Sequence, residues 1–104
     1  MYSVVIARKA QFQLESIYRY IAKSSSPRIA ETYVEAIRAE CRSLALLPKR
    51  GTEHRLIMPG LRTIGFRRSA TIAFRVSEDT VTIVGVFYRG RNVRAQIDPS
   101  SKPK

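Results

Sequence analysis

Arginine side chains frame two predicted strands near the end of the chain. Arg67 and Arg68 lie before the first strand, and Arg89 and Arg91 come directly after the second. In an antiparallel hairpin the outer ends of the two strands are neighbours, so four guanidinium groups should converge at one end of a sheet. A guanidinium group is always charged, and its planar fork of N–H donors matches phosphate and carboxylate groups. We therefore predict that the cluster binds an anionic target or partner, although a solvated basic rim would have the same composition.

Other side chains near the cluster are further candidates. Arg62 and Arg75 belong to the same predicted binding set because they lie near it in the sequence. Tyr88 precedes Arg89, and its phenol can stack on a base, supply a proton or pack against a helix. His54 is the one side chain whose ordinary pKa lies near neutrality, but a single histidine in a basic loop is more often solvated than catalytic. The sequence contains no catalytic triad and no phosphate-binding glycine loop, so no catalytic residue is assigned.

Composition narrows the class of partner. Nineteen Lys and Arg against eight Asp and Glu give a formal net charge of +11 over 104 residues. A field of this sign attracts nucleic acid, an acidic protein or an anionic membrane. With one histidine and one cysteine the chain has no zinc-binding set, and we predict neither a metal nor another cofactor. No apolar run approaches a membrane-spanning length and the N-terminus does not resemble a signal peptide, so we expect a cytoplasmic protein without a membrane partner.

The hairpin that must position the arginines is visible in the apolar pattern. Ile72, Phe74 and Val76 alternate with their neighbours at the period of a strand with one core face. The short polar residues 77–79 predict a turn. Residues 81–88 are apolar at nearly every position, which is typical of a central strand covered on both faces.

Two amphipathic helices precede the hairpin. Residues 9–23 carry apolar side chains at helical spacing. Ser26 and Pro27 are suited to the N-cap and first position of a second helix, whose apolar stripe runs as far as Leu47. Cys41 lies on this stripe, so we predict a buried thiol, and as the only cysteine it cannot form an internal disulfide.

The remaining segments complete one domain over residues 1–97. Residues 2–6 form a predicted first strand, although the pattern does not show where it joins the sheet. Residues 61–67 form a further strand, with Arg62 placed off its apolar face, and residues 98–104 form a flexible polar tail. The order β-α-α-β-β-β predicts an α+β fold in which a helical hairpin packs on a small, mostly antiparallel sheet.

Several motifs in this order and spacing are familiar. They are A-x-x-x-L-x-x-I-x-x-Y-I at residues 10–21, L-x-x-x-P-x-x-G at 44–51, G-L-R at 60–62 and F-R-V-x-x-D-T-V-x-I-x-x-V-F-Y-R-G-R at 74–91. Through them, residues 2–94 resemble the ParE/RelE superfamily of toxins from bacterial toxin–antitoxin systems, and more closely its ParE branch. The resemblance implies the same β-α-α-β-β-β fold and a cognate antitoxin whose C-terminal segment wraps the helices and sheet.

The two branches of the superfamily imply different activities. ParE-branch members inhibit DNA gyrase without a recognised catalytic set, whereas RelE-branch members cleave messenger RNA on the ribosome with basic residues and a C-terminal Tyr or His. The basic positions would correspond to Lys49, Arg50, Arg67 and either Arg89 or Arg91. Residues 92–104 contain neither Tyr nor His, and this departure favours the ParE branch.

Three hypotheses follow from these observations. The favoured one is a gyrase-binding toxin neutralised by an acidic, amphipathic antitoxin. A ribosome-dependent messenger RNA endonuclease is the alternative, and its candidate catalytic residues would be Arg67, Arg89, Tyr88 and His54. A nucleic-acid-binding module without toxicity is the third. The predicted target- or antitoxin-binding residues are Arg62, Arg67, Arg68, Arg75, Arg89 and Arg91.

Overall fold

The computed structural model describes residues 1–89 and contains two helices and five strands. The elements are β1 (Ser3–Ile6), α1 (Arg8–Ser24), α2 (Pro27–Ser43), β2 (Thr52–Glu53), β3 (Leu61–Phe66), β4 (Ala70–Ser77) and β5 (Thr80–Tyr88). The predicted α+β fold is confirmed, and the two-residue strand β2 is added within a segment predicted as loop. Arg91, the end of the predicted domain and the predicted tail lie outside the described residues.

The sheet is mixed, with strand order β1-β5-β4-β3-β2. β1 runs parallel to β5, from the pair Ser3 and Thr80 to the pair Ile6 and Ile83, and the other pairs are antiparallel. The chain therefore leaves β1, forms both helices and three strands, and returns beside its own start. This long-range pairing makes β5 an internal strand, in agreement with its apolar run.

A β-bulge shifts the alternation of side chains along β5. Ala73 pairs with Gly85 while the next residue, Phe74, pairs with Ile83, so β5 contains one extra residue. A bulge changes which side chains face each side of a sheet. As a result Ile83 and Val86, three residues apart, both belong to the core between the sheet and the helices.

Both helices begin as the sequence predicts. In α1, the buried residues Ala10, Leu14, Ile17 and Ile21 form one stripe against the sheet. At the start of α2, the Ser26 hydroxyl accepts a hydrogen bond from the Ile29 N–H at 3.1 Å.

The end of α2 differs from the prediction. Cys41 is fully buried, as expected, but the helix ends at Ser43 with Leu44 as its C-cap. Leu47 is consequently 64% exposed, and its predicted place on the buried stripe is wrong, because the helical register stops before it. Within residues 1–89, neither helix combines the length and apolar character needed to cross a bilayer.

Candidate binding site: the arginine corner

A tight turn between β3 and β4 positions Arg67 and Arg68. The Ser69 N–H donates to the Phe66 carbonyl oxygen at 3.0 Å, and φ is +49° at Arg67 and +56° at Arg68. Positive φ at both central residues is the geometry of a type I′ turn, which usually contains Asn and Gly. The predicted strand through residue 67 is therefore one residue too long, because the chain already reverses at Arg67.

Arg89 lies beside this turn. Its N–H donates to the Ser69 carbonyl oxygen at 2.8 Å, and its φ is also positive, at +58°. We call Arg67, Arg68 and Arg89 the arginine corner. All three are exposed, and within residues 1–89 none of them forms an ion pair. The corner thus holds three uncompensated positive charges at one end of the sheet.

An aromatic cluster packs next to the arginine corner. Tyr33 of α2 makes edge-to-face contacts with Phe66 and Tyr88, with ring centroids 5.6 and 5.7 Å apart, and Tyr20 of α1 contacts Tyr88 at 5.9 Å. The Tyr33 hydroxyl also shares a 2.5 Å hydrogen bond with the Ser69 hydroxyl in the turn. Both helices are therefore joined to the strand ends that carry the arginines.

Two guanidinium groups lie over rings of this cluster. The Arg67 guanidinium is 4.9 Å from the centroid of Phe66, and that of Arg89 is 5.2 Å from the centroid of Tyr88. Burial raises the pKa of the Tyr33 phenol, while its hydrogen bond with Ser69 and the charges of both arginines act in the opposite direction. The two positive charges therefore favour the ionised form of Tyr33, against the effect of burial.

Arg62 and Arg75 are not part of the corner. Arg62 pairs with Phe74 at the opposite end of β3, roughly 13 Å along the strand from Phe66, and Arg75 pairs with Leu61 at the same far end. Both were predicted to lie near the cluster, but strand direction separates them because the turn at residues 67–69 is at the other end.

The Arg62 side chain serves the fold itself. Its Nε donates to the Arg50 carbonyl oxygen at 3.0 Å, and another of its nitrogens donates to the Lys49 carbonyl oxygen at 3.2 Å. Arg62 lies on the same face of β3 as the core residue Ile64, so its predicted place off that face is wrong. Its guanidinium group extends beyond the core and hydrogen-bonds the loop that follows α2.

Arg28 is a site residue that sequence reasoning missed. It lines a cavity of about 280 Å³ with Ile29, Thr32, Tyr33 and Arg67, between the first turn of α2 and the β3–β4 turn. No local signal marks Arg28, since only tertiary packing brings the start of α2 against this turn.

A second concave surface lies between α1 and the end of β5. β1 stops at Ile6, and beyond it the Gln13 side chain accepts a hydrogen bond from the Val86 N–H at 2.8 Å. The adjoining groove has a volume of about 390 Å³. Phe12 and Tyr20 line it and are more than half exposed. The groove therefore combines an incompletely paired strand edge with exposed aromatic surface.

Comparison with known proteins identifies the family. A family model described as the ParE toxin of the type II toxin–antitoxin system parDE matches residues 4–93. The chain belongs to this ParE toxin family. Among proteins of curated function, none matches this ParE-family chain in sequence.

Solved structures agree with the assignment. A structure of the chromosomal ParDE toxin–antitoxin system from P. aeruginosa has a TM-score of 0.75 at 25% identity, covering 86% of this chain and 98% of that one. The crystal structure of the isolated E. coli RelE toxin has a TM-score of 0.50 at 15% identity, covering 92% and 93% respectively. The second similarity concerns the fold alone.

In this ParE-family protein the nuclease candidates are only partly assembled. Arg67, Arg89 and Tyr88 lie together at the corner. His54 is instead hydrogen-bonded through Nε2 to the Thr63 hydroxyl at 2.9 Å, on the part of β3 away from the turn. Tyr88 is thus the one proton-transfer candidate of that set adjacent to the corner arginines.

Proposed function

We propose that this ParE-family protein is a toxin that inhibits DNA gyrase by binding it, and that a cognate antitoxin neutralises it. The observation that carries the proposal is the arginine corner, where three exposed guanidinium groups have no ion-pair partner within residues 1–89. Such a charged surface attracts an enzyme bound to DNA and accelerates the encounter. Membership of the ParE toxin family supports the proposal, because the resemblance to ParE toxins implies gyrase as the target.

The groove between α1 and β5 suits the antitoxin. Its exposed aromatic side chains, Phe12 and Tyr20, would be covered by apolar residues of an amphipathic segment. Acidic residues of the same segment would then meet Arg67 or Arg89 at the adjoining corner. A segment that is disordered alone must offset the entropy of ordering, so we expect a long wrapped interface.

A supercoiling assay tests the main proposal. Purified protein should inhibit the supercoiling of relaxed plasmid by gyrase, and the variant Arg67→Ala/Arg89→Ala should inhibit it much less. The charge-matched control is Arg8→Ala/Arg42→Ala, which removes two exposed charges, one at the first residue of α1 and one in the last turn of α2. Arg8 is twelve residues from Tyr20, or about 18 Å along the helix, so the control should inhibit normally. Unchanged supercoiling with an excess of folded wild-type protein would contradict the proposal.

The antitoxin surface has its own test. Association of the wild-type protein with its antitoxin should slow as salt is added, because charges of this kind steer the encounter. The Arg67→Ala/Arg89→Ala variant should associate more slowly and with a weaker salt dependence. A wild-type association rate that is indifferent to salt would mean that the corner faces something other than the antitoxin.

A ribosome-dependent messenger RNA endonuclease is the second candidate, because Arg67, Tyr88 and Arg89 lie together. The arginines would stabilise charge on the scissile phosphate, and the Tyr88 hydroxyl would have to transfer the proton. Primer extension on messenger RNA from expressing cells would reveal A-site cuts. If expression proves harmless to cells, a binding module without toxicity becomes the better description.

A further inference from the structure

The cavity beside the arginine corner brings a fourth guanidinium group to this end of the molecule. Arg28 and Arg67 line the same cavity of about 280 Å³, together with Thr32 and Tyr33. Neither arginine forms an ion pair with any residue in the described part of the chain. Both side chains are therefore available to an anion that enters from outside.

The backbone of the corner is not one that arginine prefers. Arg67, Arg68 and Arg89 all have φ between +49° and +58°, the left-handed region that side chains with a Cβ rarely occupy. Asparagine and glycine would serve the turn with less strain. Strain of this kind persists where a side chain has another role. Glu78, in the turn between β4 and β5, also has positive φ, so the backbone alone does not mark a binding residue. The three arginines are distinguished by being exposed together at one end of the sheet without an ion-pair partner within residues 1–89.

Contact with an aromatic ring leaves the hydrogen-bond donors of Arg67 available. Arg67 lies over Phe66 and Arg89 lies over Tyr88. A ring face attracts the positive charge but is a weak hydrogen-bond acceptor. The Phe66 ring therefore holds the Arg67 guanidinium in place while its N–H groups can still bind a ligand, whereas Arg89 also donates a hydrogen bond to the Tyr88 side chain.

We propose that the arginine corner and Arg28 bind the sugar–phosphate backbone of an unpaired nucleic-acid strand. Several positive charges on one surface match a ligand that carries a negative charge at every residue. Tyr20 is 53% exposed beside Tyr88, and an unpaired base can stack on such a ring, whereas duplex bases are already stacked against each other. This rests on the proposed function, because it names the ligand that the corner contacts in a gyrase–DNA complex.

Fluorescence anisotropy with the full-length chain tests the proposal. The probes are labelled single strands of DNA and of RNA of roughly 12 nucleotides, a duplex of the same sequence, and an acidic peptide of equal charge. Each is titrated over a series of salt concentrations. Both single strands should bind, and log affinity should fall with log salt, with a slope of about −0.7 for each phosphate contacted.

Three variants and one control test whether the strand binds at the arginine corner. Arg28→Ala and Arg67→Ala should each reduce the steepness of the salt dependence by roughly the amount expected for one phosphate contact. The charge-matched control Arg8→Ala/Arg42→Ala should keep the wild-type slope. Arg67→Asn/Arg68→Gly should lose affinity while its Tm rises by roughly 5 °C, because the turn then has residues suited to positive φ. That combination excludes unfolding as the cause of the loss.

Other results would overturn the proposal. One such result is that a duplex or an acidic peptide binds as tightly as the single strands. Another is that the salt dependence of the control variant decreases as much as that of Arg67→Ala. Gyrase inhibition without strand binding would reject this inference and leave the proposed function intact. Strand binding without gyrase inhibition would reject the proposed function and leave this inference intact.

Discussion

Replacing Gly51 with alanine would place a methyl group where the loop after α2 meets the sheet. Gly51 has φ of +78°, and a Cβ built on it would lie 2.5 Å from Cγ2 of Ile64 and closer still to the carbonyl oxygen of Thr63. Thr63 is held in the sheet by pairing with Thr52 of β2. The new methyl group therefore meets backbone that cannot move without disturbing the β2–β3 pair.

Two costs add in this substitution. A residue with a Cβ in the left-handed region costs about 1–2 kcal/mol. Forcing an extra carbon into a filled space costs about 1–3 kcal/mol more. We expect Gly51→Ala to lower the free energy of unfolding by roughly 2–5 kcal/mol, which for a domain of this size lowers Tm by about 10 °C or more.

The matched control is Gly65→Ala, one strand away. Gly65 is exposed on β3, and a Cβ there would have no heavy atom within 4 Å. We expect this variant to be within about 1 kcal/mol of the wild type, with any change in the stabilising direction. Urea unfolding, followed by circular dichroism, measures the free energy of unfolding of both variants. The reasoning is refuted if Gly51→Ala is as stable as Gly65→Ala.

Three smaller predictions follow from single contacts. Tyr33→Phe removes the hydrogen bond with Ser69 and should lower the free energy of unfolding by about 1 kcal/mol, measured as a shift of the urea midpoint. Gln13→Ala removes the acceptor of the Val86 N–H, and amide exchange at Val86 should become about tenfold faster or more in an NMR experiment. Burial raises the pKa of Cys41 to about 11 from 9.0. The contribution of the buried thiol to the free energy of unfolding is therefore complete below pH 9 and is lost as the pH rises towards 11. The stability of the wild type relative to Cys41→Ala should fall across that range, and an unchanged difference would contradict the buried thiol.

Short-range patterns were sufficient for much of this molecule. The stripe of α1, the Ser26 cap and the apolar run of β5 each depend on neighbouring residues, and each is present as predicted. The α+β fold follows, because two amphipathic helices need an apolar sheet face to cover. The meeting of Arg89 with Arg67 could also be predicted, since it follows from the direction of one hairpin.

Tertiary structure alone decided the features that depend on distant partners or on strained backbone. β1 pairs in parallel with β5 across more than seventy residues, and no local pattern encodes such a pairing. The turn at Arg67 and Arg68 carries no Gly or Asn signal, because the arginines occupy positive φ against their preference. The position of that turn shows that Arg62 lies at the far end of β3. Packing of α2 against the turn places Arg28, from another element, beside the arginine corner. Residue type and spacing therefore determined the elements and the charge, whereas packing between elements determined which charges share a site.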